Sequence, residues 1–138
     1  MALLEKQLEI KESTIPGSGK GLFTKQFIAK NTRIVEYKGR ITTWKEVQQS
    51  PVFNGYVYYI NRNRVIDAMN YKKSFARFAN DAKGTTKIKG LKNNCTYEVE
   101  DNRVYISALR DIDAGSEILV AYGKEYWDVI RYNQKLKS

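Results

Sequence analysis

Ten of the 138 residues are tyrosine, three of them crowded into the run YVYY at 56–59, whereas histidine is absent and cysteine occurs once, at Cys95. Those residue types limit the chemistry. Without histidine there is no Ser-His-Asp triad and no HExxH metal motif. One cysteine and no histidine exclude a structural zinc site built from this chain alone. They also exclude an internal disulfide, which fits a reducing compartment. What remains is a reaction that needs little proton shuttling, or one served by Tyr, Lys, Asp or Glu. Phenols suit a site with apolar walls and one wet end, although strand packing alone also draws tyrosine. The second feature is the loop IPGSGKGLF at 15–23. Its three glycines beside one proline let the backbone approach a ligand. The order is neither a phosphate-binding GKS/T loop nor the opening of a dinucleotide-binding helix. On its own the loop reads as a surface turn.

The elements that must carry these residues are short strands separated by Gly and Asn turns. LEIKE at 8–12 alternates as a strand, and GLFTKQFI (21–28) and TRIVEY (32–37) supply two more. TWKEVQQ (43–49) predicts one or two helical turns stopped by Ser50-Pro51, because a residue before proline avoids the helical region. YVYYI (56–60) and RVIDA (64–68) predict a hairpin across NRN. CTYEVE (95–100) and RVYISAL (103–109) predict another through the two-residue turn Asp101-Asn102. SEILVAY (116–122) follows Ala114-Gly115, and KEYWDVIRYNQKLK (124–137) sets Tyr126, Trp127 and Ile130 at helical spacing. The expectation is a single, mostly β domain over 1–138, with a short C-terminal helix and no internal repeat or linker.

Composition sets the outer limits. Apolar residues make up 42%, enough for a core. No apolar run approaches the ~20 residues of a membrane span. MALLEKQLEIKE has only a short apolar stub before its first charge, so it does not read as a secretory signal. These features predict a soluble, intracellular protein, cytoplasmic or nuclear. The 24 Lys and Arg against 15 Asp and Glu give a net charge of +9. That balance favours an anionic partner, such as nucleic acid, an acidic cofactor or an anionic surface, or serves solubility alone. The basic residues are scattered except in KGTTKIKGLK, from Lys83 to Lys92, and in the KLKS tail.

Taken in series, GKGLF, EYKG, YVY, IDA, ARFAN, NNC, ALRDIDAGSEI and AYGKEYW occur in the order found in SET domains, the protein lysine methyltransferases. The resemblance runs from Glu9 to Trp127, nearly the whole chain. It implies the SET fold, a set of small curled β-sheets with a C-terminal pseudoknot. In that fold the segment from Glu117 to Trp127 passes beneath the loop of Arg77 to Asp81, a rare exception to unknotted connections. The resemblance also implies S-adenosylmethionine as cofactor, S-adenosylhomocysteine as product, and no metal. By the same resemblance the cofactor is bound by Lys20, Gly21, Leu22 and Phe23 of the glycine loop, and by Tyr56, Arg77, Phe78, Asn80, Asp81, Tyr122 and Trp127. Tyr122 is the catalytic phenol. Tyr37, Tyr58, Tyr71 and Tyr126 line the channel for the substrate lysine.

The chain departs from the family pattern in ARFANDAKG, where Asp81 stands in place of the family histidine and Ala82-Lys83 replace Ser-Cys. The family's Asn-His pair contacts the adenine largely through the main chain. Asp81 is therefore expected to keep those contacts and to act as a structural carboxylate paired with Arg77 or a nearby lysine. No zinc-bound cysteine cluster follows the domain, so the helix at 124–137 or a partner has to close the lysine channel.

Methyl transfer from a sulfonium to an amine suits such a chain, since the leaving group is already activated and needs neither metal nor strong acid. The implied partner is a lysine-bearing protein or peptide, with the chain acting as a monomer or homodimer away from membranes. A net charge of +9 is awkward for a strongly basic target. Glu36, Glu46, Asp67, Glu98 and Glu100 would make an acidic groove if they gathered on one face. Two other readings stand beside this one. The first is a SET-like module that binds without activity. The second is a nucleic-acid binder using the loop from Lys83 to Lys92, whose affinity would fall steeply with salt.

Overall fold

Alternating side chains and tight turns set where the chain forms strands. The computed structural model describes residues 3–50, 55–71, 73–82 and 90–122. Among these, nine strands form three antiparallel sheets of three strands each. In the first sheet β2 (Lys20–Thr24) lies between β1 (Leu8–Glu12) and β9 (Glu117–Ile118). In the second, β8 (Arg103–Ala108) lies between β3 (Arg33–Glu36) and β7 (Cys95–Glu100). In the third, β6 (Arg64–Asp67) lies between β4 (Arg40–Thr42) and β5 (Val57–Asn61). The mostly β, SET-like architecture expected from the sequence is the one observed.

Local chemistry explains the boundaries. The β7–β8 hairpin pairs Cys95 with Ala108 and Glu100 with Arg103. Its turn residues Asp101 (φ 51°) and Asn102 (φ 64°) are both left-handed, as a two-residue hairpin turn requires and as Asp and Asn tolerate. Helix α1 (Trp44–Gln49) starts at Thr43, whose hydroxyl accepts from the Glu46 N–H, and stops at the extended Ser50. Strand β2 ends at Thr24 rather than running to Ile28, because the Thr24 hydroxyl donates to the Gln26 carbonyl at 2.7 Å and turns the chain. SEILVAY keeps only Glu117 and Ile118 in a ladder. Leu119 and Val120 make single parallel bridges to Asn80 and Cys95, two segments that are not continuous with each other.

The core lies between the sheets. Strand β8 turns Val104, Ile106 and Ala108 inward with period two. Leu22, Ile34, Ile66, Ile118 and Val120 meet them, together with Ala76 of the short 3-10 turn Phe75–Phe78. The expected C-terminal helix at 124–137, with Tyr126 and Trp127, lies outside the described residues. So do residues 83–89 of the basic loop and the part of the expected threaded segment beyond Tyr122.

Cys95 is wholly buried, and burial pushes its thiol up from 9.0 to about 12. At neutral pH the folded chain then holds roughly a thousandth of the thiolate of the unfolded chain. A thiol reagent is expected to label Cys95 at the rate at which the fold opens, and at once in denaturant. Because the folded value is the raised one, the contribution to stability is complete below about pH 9 and is lost as pH rises from there toward 12. Denaturant midpoints across that window should fall less steeply for Cys95→Ala.

Candidate active site

A cavity of about 440 Å³ lies between the glycine loop, β5, the Phe75–Phe78 turn and Tyr122. Ser18, Gly19 and Lys20 line it from the loop; Gly19 holds φ 68°, a conformation that costs glycine little. Five tyrosines line the same space, Tyr56 just before β5 and four others. Tyr37 follows β3, Tyr58 sits on β5, Tyr97 on β7, and Tyr122 beyond β9. The rings of Tyr37, Tyr58 and Tyr97 form a triangle with centroids 6.3, 6.1 and 5.0 Å apart. Tyr37 is buried and donates to the Tyr56 carbonyl at 2.8 Å. Desolvation pushes the Tyr58 phenol above its ordinary value of 10.0, so it stays protonated. The Tyr122 hydroxyl donates to the Ala79 carbonyl.

Buried polar side chains hold this arrangement. Glu117 on β9 is only 6% exposed. Its carboxylate accepts from the Ser13 hydroxyl at 2.7 Å, the Thr14 N–H at 2.9 Å, the Thr14 hydroxyl at 2.6 Å and the Asn80 amide at 3.3 Å. The Asn80 amide also donates to the Lys20 carbonyl at 3.1 Å, and the Asn80 carbonyl accepts from the Val120 N–H at 2.8 Å. Asn94 acts on the other side of the same segment. Its amide donates to the Glu117 carbonyl, and its side-chain oxygen accepts from the Leu119 N–H, both at 2.9 Å. Asp81 is buried. Its two oxygens accept from the Tyr122 N–H and the Asn93 amide, each at 2.9 Å. The aspartate that stands in the histidine position therefore fixes the backbone of the phenol expected to be catalytic.

Asp81 is buried beside the cavity without lining it, and the other sequence-predicted residues divide into four groups. Lys20, Tyr56, Arg77, Phe78, Asn80, Tyr122, Tyr37 and Tyr58 all line the cavity. Gly21, Leu22 and Phe23 lie behind it. Both faces of β2 are covered, so Leu22 and Phe23 are buried on opposite sides, and Gly21 packs against the Glu117 carboxylate. Tyr71 lines a second cavity instead. Tyr126 and Trp127 lie outside the described residues. Arg77 does not pair with Asp81. It donates to the carbonyls of Ala68 (2.9 Å) and Met69 (2.8 Å) and lies over the rings of Tyr56 and Phe78 at 4.2 and 5.0 Å. Nor do the five acidic residues gather into a groove. Glu98 and Glu100 pair with Arg33, Glu46 and Asp67 with Arg40, and Glu36 with Arg103. Sequence reasoning missed Tyr97, Asn94 and Glu117. For Tyr97 the signal was present: Cys95, Tyr97 and Val99 alternate along one face of CTYEVE, so the buried Cys95 implies an inward phenol.

Replacing Glu117 by Ala leaves Ser13, Thr14 and Asn80 donors without their acceptor, at a cost of about 3 kcal/mol. The denaturant midpoint is expected to fall at constant slope. A Cβ at residue 21 would come within 2.3 Å of the Glu117 Oε2, so Gly21→Ala disturbs the same carboxylate. The double variant should lose less stability than the two single losses added together.

The chain resembles known proteins in family and fold. The family model for the SET domain matches residues 19–123. The methyltransferase domain of human PR domain-containing protein 2 has a similar fold. Its TM-score is 0.61 at 22% identity, over 85% of this chain and 77% of that one. The matched span covers most of the chain and holds every cavity-lining residue but Ser18, and the chain belongs to the SET domain family.

Proposed function

We propose that the chain transfers a methyl group from S-adenosylmethionine to the side-chain amine of a lysine in a protein substrate. The observation that carries this reading is the cavity itself, in which Tyr122 and four further tyrosines share one space with a glycine loop and Asn80. Membership of a family whose members are generally lysine methyltransferases supports it.

The residues present fit the cofactor. A cavity of about 440 Å³ is of the size that takes ligands of this class. On its wall Arg77 carries a buried Nε without a hydrogen-bond partner, a donor suited to a carboxylate. Ser18, Gly19, Lys20, Tyr56, Phe78 and Asn80 would hold the remainder. When bound, S-adenosylmethionine supplies an activated methyl group on a positively charged sulfur. The chain's own residues deal with the nucleophile. A free lysine has a pKa of ~10.4 and is protonated at neutral pH. Walls made by Tyr37, Tyr58 and Tyr97 strip water from the amine and favour its neutral, reactive form. Their hydroxyls orient its lone pair. Tyr122 donates its proton to the Ala79 carbonyl, so toward the methyl its oxygen can act only as an acceptor. That suits alignment of the transferring methyl through C–H···O contacts, together with the electrostatics of the site, rather than proton removal. Water carries the proton away.

Asp81 in the histidine position is the feature that favours a module without activity. Its contacts with the Tyr122 N–H and the Asn93 amide are ones that a carboxylate serves well, which supports the active reading.

Incubation with labelled donor and a cell extract, followed by mass spectrometry of the labelled band, tests the activity. Tyr122→Phe is expected to lose about a hundredfold in turnover with cofactor affinity largely kept. Unchanged turnover would remove Tyr122 from the mechanism. Asn80→Ala, which frees the Lys20 carbonyl, is expected to weaken cofactor binding about tenfold by calorimetry.

A further inference from the structure

The second cavity, of about 340 Å³, shares Tyr37 with the first as a common wall. Its character is different. Lys38, Arg64 and Arg103 line it against the single carboxylate of Glu36, a balance of three cations to one anion. These cations keep most of their capacity. Arg64 places only its Nε on a neutral acceptor, the Asn102 carbonyl at 2.8 Å. Arg103 reaches Glu36 only at 4.0 Å and is 62% exposed. Lys38 is exposed and is in no ion pair among the described residues. Two large side chains of its lining are also exposed, Ile41 at 48% and Tyr71 at 46%.

We propose that this cavity is an acid-recognising subsite that takes the carboxylate of an Asp or Glu in the polypeptide substrate, so that lysines close to an acidic residue are selected. The inference rests on the methyl-transfer reading for the identity of the ligand. Guanidinium groups with unused terminal nitrogens favour a planar carboxylate. A small inorganic anion would satisfy the cations but leave Ile41 and Tyr71 uncovered, whereas a peptide segment covers both. The shared Tyr37 sets the subsite one side chain away from the phenols, so the acid and the lysine belong to neighbouring positions of one segment. The remaining acidic residues of this surface are already paired with Arg33 and Arg40, which leaves no acidic groove for a strongly basic tail. The net charge of +9 acts in the same direction at long range.

The test uses the full chain and fluorescent peptides with one central lysine, flanked by Asp or Glu in one set and by Asn or Gln in the other. Binding is read by polarisation and methylation by label uptake. The acidic set is expected to bind roughly tenfold tighter than the amide set, with a gap that shrinks as salt rises. Arg64→Gln with Arg103→Gln should close the gap without altering the affinity of the amide set. Lys38→Gln, at an exposed position, should narrow it and serves if the arginine pair compromises folding. Equal binding of the two peptide sets, or a gap that survives these substitutions, overturns the subsite. An acidic peptide that binds in this manner yet takes up no label would uphold the subsite and overturn methyl transfer.

Discussion

A single carboxylate joins parts of the chain that lie more than a hundred residues apart. Glu117 accepts from Ser13 and Thr14, separated from it by 104 and 103 positions, and from Asn80 in the middle of the sequence. A charge taken out of water is tolerated only where donors replace the lost hydration. Those donors exist here only if the turn after β1, the segment after the Phe75–Phe78 turn and β9 all come together. The carboxylate is thus satisfied in one fold and unsatisfied in alternatives. The close packing of Gly21 against it shows why no side chain is accommodated at that position.

The same segment is secured by side chains that imitate strands. Residues 117–120 have no full-length neighbour on the side away from β2. Asn94 presents an amide donor and acceptor to the Glu117 carbonyl and the Leu119 N–H, and Asn80 lends its backbone carbonyl to Val120. Asp81 extends this line to the Tyr122 N–H. Tyr122 therefore emerges from a stretch whose backbone groups are held from both sides, and its ring position follows from that restraint rather than from a regular sheet.

The phenol cavity works by the opposite principle. Tyr37, Tyr58 and Tyr97 come from two sheets and meet through ring edges and tilted faces. Tyr37 is buried and Tyr58 and Tyr97 are partly so, and this burial raises the Tyr58 phenol. On the proposed reading they would favour the neutral form of an entering amine without supplying a base. A chain without histidine can therefore serve a reaction whose main obstacle is a protonated nucleophile.

The amino-acid order determined what depends on near neighbours. Alternation in LEIKE and CTYEVE, the Asp101-Asn102 turn, the Thr43 cap and the stop at Ser50 all depend on contacts a few residues long, and each could be read directly. The family motifs also located most of the cavity wall, from Lys20 to Tyr122. Tertiary structure alone decided which groups meet across the chain. It set Arg77 on carbonyls instead of on Asp81, sent Tyr71 to a second cavity, divided the acidic residues among three arginines, and made Glu117 a hub. Each of these outcomes depends on the distance between residues remote in sequence. That distance is fixed only when the three sheets close on a common core.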